Sequence, residues 1–275
     1  MLTKLAPTEY HPEATASTWT KFLERIMPNA EIRAFLQRAA GYSLTGLTGE
    51  EALFVAYGTG RNGKSKFLGA VQDMLGPDYA QQMPPQTLML KKGDSGASSE
   101  LARLKGARFT ATVETGEGGR LNEALVKQAT GGDKISARYL FKEYFEFKPT
   151  HKIWLATNHK PTVRGTDEGI WSRIRLIPFE ETIPEAERDQ HLAEKLAKEA
   201  AGILAWAVQG CLAWQSERLA VPEAIRQATQ DYRESMDQIG EFIDEMCVLG
   251  DMWEIGARTA TPPGPARSRT CTGTR

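Results

Sequence analysis

The sequence predicts an α/β fold, in which a core of buried strands and helices lies between an N-terminal helical segment and a set of C-terminal helices. Three observations predict it. The stretch "GTGRNGKS" at 58–65 stands between a run of strand formers and a helical pattern, the setting in which a glycine-rich loop binds phosphate. Three more short apolar runs, at 107–114, 151–158 and 174–179, have the length and composition of buried strands. From 184 onward the apolar residues recur at helical spacing instead.

Taken in order, residues 1–15 are polar and contain proline, and read as an arm. Trp19, Phe22, Leu23 and Ile26, then Ile32, Phe35, Leu36 and Ala39, fall at helical spacing, with Pro28-Asn29 separating two helices. "ALFVAY" (52–57) is the first strand and ends at Gly58. "SKFLGAVQDML" (65–75) predicts a helix that stops at Gly76-Pro77. "ARFTATVE" (107–114) is the second strand, and "LNEALVKQAT" (121–130) a helix closed by Gly131-Gly132. "ARYLFKEYFEFKP" (137–149) alternates aromatic and charged residues, as a hairpin does. "HKIWLATN" (151–158) and "IRLIPF" (174–179) are the third and fourth strands. Helical stripes follow at 186–199, 200–216, 222–234 and 237–248 and include Leu204, Ala207, Val208, Cys211 and Leu212. From Gly256 to Arg275 there is no Val, Leu, Ile, Met or aromatic residue, so that stretch is expected to be disordered. The expected divisions are a helical segment at 1–50, the phosphate-binding core at 51–182, a helical region at 183–250 and a tail at 251–275.

Composition narrows the function. At 275 residues the chain suffices for one large domain or two small ones. With 34 Lys and Arg against 35 Asp and Glu, it is not a protein that coats a duplex by bulk charge. The charge is uneven, however: residues 120–175 carry eleven basic and six acidic residues, and 183–251 six basic and fourteen acidic. The middle of the chain is therefore the place for a basic channel. Cys211, Cys247 and Cys271 are too few and too scattered for a disulfide framework or a four-cysteine zinc site. No apolar run approaches the ~20 residues of a membrane span, and the N-terminus lacks a signal-peptide pattern. An intracellular location is expected.

Gly58, Thr59, Gly60, Arg61, Asn62, Gly63, Lys64 and Ser65 satisfy the full pattern G-x-x-x-x-G-K-[ST]. Glycines let the backbone curl until successive N–H groups point inward at phosphate oxygens, and the following helix adds its N-terminal dipole. Lys64 supplies a compact positive charge for the β- and γ-phosphates, and Ser65 a hydroxyl for Mg²⁺. The ligand class is a nucleoside triphosphate. Hydrolysis also needs a carboxylate near metal and water. Glu114, ending the second strand, stands where it is required, with Glu117 in reserve. Asn158, ending the third strand, has two readings: an amide that holds the γ-phosphate or orients water, or a turn residue before His-Lys-Pro. Arg173, before the fourth strand, is either a salt-bridged surface arginine or a finger that stabilises transition-state charge.

The loop, the Glu-terminated strand, "LVKQATGGDKISAR" (125–138), "IWLATNHKP" (153–161) and "RGTDEGIWSRIRLIPF" (164–179) occur in this order. Together they resemble the phage and plasmid primase–helicase family, whose superfamily 3 module is shared with poxvirus and satellite-phage replication proteins. The likeness covers roughly residues 8–250. It implies an AAA+-like core that assembles into a ring, a hexamer in the expected case, and hydrolyses ATP with Mg²⁺ to move along single-stranded DNA. Residues 58–65 match Walker A, Glu114 Walker B, Asn158 sensor 1 and Arg173 the trans-acting finger. The segment 127–148 matches the hairpin that projects into the pore, with Lys142 at the DNA-touching tip and Arg138 next in line. A pore contact must grip phosphate without reading sequence, which suits lysine and arginine beside aromatics. For most of Tyr139, Phe141, Tyr144, Phe145 and Phe147, core packing is the expectation. The resemblance also implies replication proteins or a primase domain as partners, and the cytoplasm of a bacterial, phage-infected or plasmid-bearing cell.

Two departures from the family bear on function. Its Walker B motifs often show paired acids, whereas Glu114 is followed by Thr115. Its members usually continue past "CVLG" (247–250) into another domain, and many carry a primase domain ahead of the module; the apolar-free tail reads as a shifted frame or damaged copy. Two alternatives to a helicase therefore stand: a non-motor P-loop enzyme such as a nucleotide or small-molecule kinase, and an inactive truncated remnant.

Overall fold

A computed structural model describes residues 4–90, 99–114, 116, 119–165 and 167–237, with only the backbone described at residue 114. The stripe at 237–248 beyond its first residue, the reserve candidate Glu117 and the tail at 251–275 lie outside the described residues.

Helix α1 (Ser17–Ile26) buries Trp19, Phe22, Leu23 and Ile26 on one stripe. Helix α2 (Ala30–Leu44) begins where the Asn29 side chain accepts from the N–H groups of Glu31 and Ile32, satisfying donors that a helix start leaves open. Strand β1 (Leu53–Tyr57) leads into the glycine loop, and α3 (Lys64–Tyr79) leaves it. The expected stop at Gly76-Pro77 is a break inside α3: Gly76 has φ 68° and ψ 176°, and Pro77 opens one last turn. A short strand with no clear sequence signal follows, β2 (Ala80–Gln82), then α4 (Ser99–Ala102) and β3 (Phe109–Glu114). Next come α5 (Glu123–Thr130), capped by Asn122, and the hairpin of β4 (Ile135–Ala137) and β5 (Phe145–Phe147). The core closes with β6 (Lys152–Thr157), α6 (Glu168–Trp171) and β7 (Ile174–Pro178). Helices α7 (Leu192–Lys198), α8 (Ala200–Glu217) and α9 (Glu223–Glu234) complete the described chain.

The five core strands are parallel, in the order β2-β3-β6-β1-β7. Their side chains alternate between two apolar layers, as strands covered on both faces require. One layer gathers Phe54, Ala56, Phe109, Trp154 and Ile177 with α1, α2, α3 and α8. The other gathers Leu53, Val55, Ile153, Leu155 and Leu176 with α5, α6 and Tyr232. Trp154 is the centre of the first layer: its ring stacks on Phe54 at 4.4 Å, and its Nε1 donates to Ser43 Oγ at 3.1 Å.

Helices α2 and α8 cross with backbones in contact. A Cβ on Gly41 would stand 2.1 Å from the Cys211 nitrogen, and one on Gly210 would stand 2.0 Å from the Gln37 oxygen. Only glycine fits either position. The N-terminal arm lies docked along α3: Lys4 Nζ donates to the Asp78 carbonyl at 2.6 Å and Thr8 Oγ1 to the Met74 carbonyl at 2.8 Å.

Candidate active site

Because β6 lies between β1 and β3, three carboxyl strand ends stand side by side. Tyr57 pairs with Thr157, and Thr157 with Glu114. Ligands of parallel sheets bind beyond such ends. The residues that follow or close these strands are Gly58, Asn158 and Glu114, so strand order alone assembles three of the sequence candidates. For Glu114 it is the backbone that is placed there.

The loop between β1 and α3 curls through left-handed φ values at Gly60 (108°), Arg61 (54°) and Gly63 (83°). Gly58 admits no side chain, since a Cβ would stand 2.2 Å from both Asn62 Nδ2 and the Phe179 oxygen. The loop is tied down from the far side of the sheet: Phe179 N–H donates to the Tyr57 carbonyl at 2.7 Å and Ile183 N–H to the Arg61 carbonyl at 2.9 Å. It opens onto a cleft of about 320 Å³ floored by Val113, Ala156, Thr157 and Asn158. Ser65, in the first turn of α3, is an exposed part of the cleft wall.

Lys64 reaches back across the loop. Its Nζ donates to the Gly58 carbonyl at 2.6 Å, to Asn62 Oδ1 at 2.9 Å and to Asn158 Oδ1 at 3.2 Å. All three acceptors are neutral. The side chain is buried, and burial pushes its pKa down to about 8. A buried ammonium held by neutral oxygens above a glycine cradle is matched to an anionic ligand. Asn62 does more than fill the loop: it is buried, and its Nδ2 donates to the Phe179 carbonyl at 3.0 Å while its Oδ1 holds Lys64. Asn158 is a strand-end turn residue, and its amide oxygen accepts from the loop lysine.

Arg173 is not part of this group. It precedes β7, at the end of the sheet where Leu53 pairs with Ile174, and the loop begins past the other end of β1. Six residue rises at about 3.3 Å each put the two roughly 20 Å apart. Its Nη1 donates to the Gly169 carbonyl at 2.5 Å and its Nη2 pairs with Glu51 Oε2 at 2.5 Å.

The loop that joins β4 to β5 carries Arg138 and Lys142, both exposed. Lys142 N–H closes a turn onto the Tyr139 carbonyl at 3.0 Å, and the Arg138 guanidinium lies 4.9 Å over the Tyr144 ring. The expected core packing of the aromatics needs correction. Phe147 is buried and Phe145 half-buried, but Tyr139 and Tyr144 are exposed and Phe141 is 97% exposed. The reason is length. The ladder pairs only Ile135–Ala137 with Phe145–Phe147, and beyond it no sheet face continues to bury alternate residues. Phe141, at φ 60°, stands with exposed Leu140 at the apex, beside Lys142.

No model of a known protein family matches the chain. Individual relatives do. It is 32% identical over 253 residues to a protein of Acanthamoeba polyphaga mimivirus that carries a provisional helicase name, a match covering 86% of this chain and 26% of that protein. A provisionally named primase of African swine fever virus is 26% identical over 171 residues, covering 60% of this chain and 18% of that protein. The chain thus spans about a quarter or less of these relatives' length. Among solved structures, the apo C-terminal region of NrS-1 superposes with a TM-score of 0.62 at 12% identity, over 89% of this chain and 62% of that one. These relatives come from large DNA viruses, and the phosphate-loop sheet agrees with the fold match. The likeness to NrS-1 is one of fold; by its sequence relatives, the chain belongs with the primase–helicase family.

Proposed function

We propose that the chain is the motor of a replication helicase of superfamily 3, hydrolysing ATP to translocate on single-stranded DNA as a homo-oligomeric, hexameric ring. The observation that carries this reading is the group around Lys64: a phosphate-loop ammonium held by Gly58, Asn62 and Asn158 at the carboxyl ends of adjacent parallel strands. The helicase and primase names of the relatives support it.

In this reading residues 58–65 bind the triphosphate, and Lys64 balances its charge. Ser65 and Glu114 would hold Mg²⁺, which neutralises phosphate charge when bound. Glu114 polarises the attacking water, and Asn158 orients it. Arg173 cannot reach its own loop, so it acts on the nucleotide of a neighbouring protomer. The hairpin tip grips DNA through Lys142 and Arg138, and the exposed Phe141 joins them as a ring on which a base can stack.

ATP turnover measured with and without single-stranded DNA, across a range of protein concentrations, tests the proposal. Turnover should rise with DNA and with assembly. Turnover indifferent to both supports the kinase alternative, and its absence the inactive remnant.

A further inference from the structure

We infer that Glu51 is the positioning residue for Arg173, holding its guanidinium ready for a neighbouring protomer's nucleotide. The inference rests on the trans-acting role proposed for Arg173. Arg173 is the one candidate catalytic group anchored at the end of the sheet away from the phosphate loop. Its side chain is 17% exposed and that of Glu51 48%, so the pair sits at the rim of the fold. The anchoring is two-sided: Glu51 takes Nη2 at 2.5 Å and the Gly169 carbonyl takes Nη1 at 2.5 Å. The Nε is enclosed without an acceptor. A guanidinium has five N–H groups, so two acceptors from its own protomer leave others to donate to phosphate.

Anchoring of this kind has a kinetic consequence. A free arginine loses rotamer freedom when it closes on a phosphate, whereas one already held does not. Glu51 is itself held in an uncommon conformation. Its φ is 46°, and its N–H donates to the Thr48 carbonyl at 2.9 Å in the turn that enters β1. A non-glycine residue keeps such a conformation only where its surroundings over-determine it. Glu51 also precedes the strand whose other end carries the phosphate loop. The finger offered to one site is thereby referenced to the loop of the next.

The test compares steady-state ATP turnover of the full chain, at concentrations where specific activity has reached its plateau. Glu51→Gly should lower kcat by about tenfold to a hundredfold, up to the scale of a misplaced catalytic group, and leave KM for ATP unchanged. Its melting temperature should equal or exceed the parent's, because glycine accepts the positive φ. Glu51→Gln should keep most of the turnover, since its amide oxygen still accepts from Nη2. On an Arg173→Ala background, Glu51→Gly should have no further effect. Parental kcat in Glu51→Gly, or a further loss on the Arg173→Ala background, overturns the inference while leaving the role of Arg173 intact. Parental kcat in Arg173→Ala itself overturns the trans-acting reading and the inference with it.

Discussion

Raising the pH should weaken nucleotide binding through Lys64. Its ammonium is buried among neutral oxygens and loses its proton at about 8 in the unliganded protein. A bound triphosphate favours the ammonium and raises that value. Below about pH 8 both states carry the proton, and affinity is flat. Above it, binding takes up one proton, and affinity falls toward tenfold per pH unit, about 1.4 kcal/mol. Affinity at about pH 9 should thus be close to tenfold below that at about pH 7.5. Calorimetric titration with a non-hydrolysable ATP analogue, in two buffers of different ionisation enthalpy, reads both the affinity and the proton uptake. Lys64→Arg should bind with no pH dependence in the same range, because guanidinium stays charged. A flat profile in the parent, or an equal slope in Lys64→Arg, refutes the reasoning. The sign for stability is the reverse. The unfolded lysine binds more protons between about 8 and its ordinary value, so this group makes the unliganded protein more stable as pH rises through that window.

Other expectations follow from particular contacts. His151 is buried with neither ring nitrogen partnered, and burial pushes its pKa down to about 4. It stays neutral in the fold while the unfolded chain takes up the proton, so stability should fall by up to about 1.4 kcal/mol per pH unit from about pH 6.5 toward 4. Chemical denaturation of His151→Phe at several pH values should show a shallower acid slope; an unchanged slope removes the assignment. Gly210→Ala forces a methyl into the α2–α8 contact and should cost about 1–3 kcal/mol in the same assay, whereas Gly49→Ala, with nothing within 4 Å, should change little. Glu114→Gln should bind ATP and fail to hydrolyse it; an inactive Glu117→Gln beside an active Glu114→Gln would shift the catalytic carboxylate to the later position. Phe141→Ala and Lys142→Ala should each weaken single-stranded DNA binding with basal turnover intact, but only the lysine change should flatten the dependence of log affinity on log salt. Parental binding by both variants would move the DNA contact away from this tip.

What the sequence by itself determined was local. The phosphate loop, the strands that end at Gly58, Glu114 and Asn158, and the helices at 17–44 and beyond 184 all follow from periodicity and turn chemistry. Periodicity reports that a residue is buried, not which element it is buried against. Only the tertiary structure decided that β6 slots between β1 and β3, which brings the Asn158 amide to Lys64 from 94 residues away. It likewise turned Asn62 into a bridge from the loop lysine to Phe179, a contact across 117 residues that no local pattern encodes. The strand β2 carries no sequence signal because three residues are too few to show an alternation. The exposure of Phe141 is hidden for a related reason: aromatic and charged residues alternate across 137–149, but pairing stops after three residues on each side. Alternation buries a side chain only where a neighbouring strand continues the sheet, and hydrogen-bonded length is settled by the whole fold.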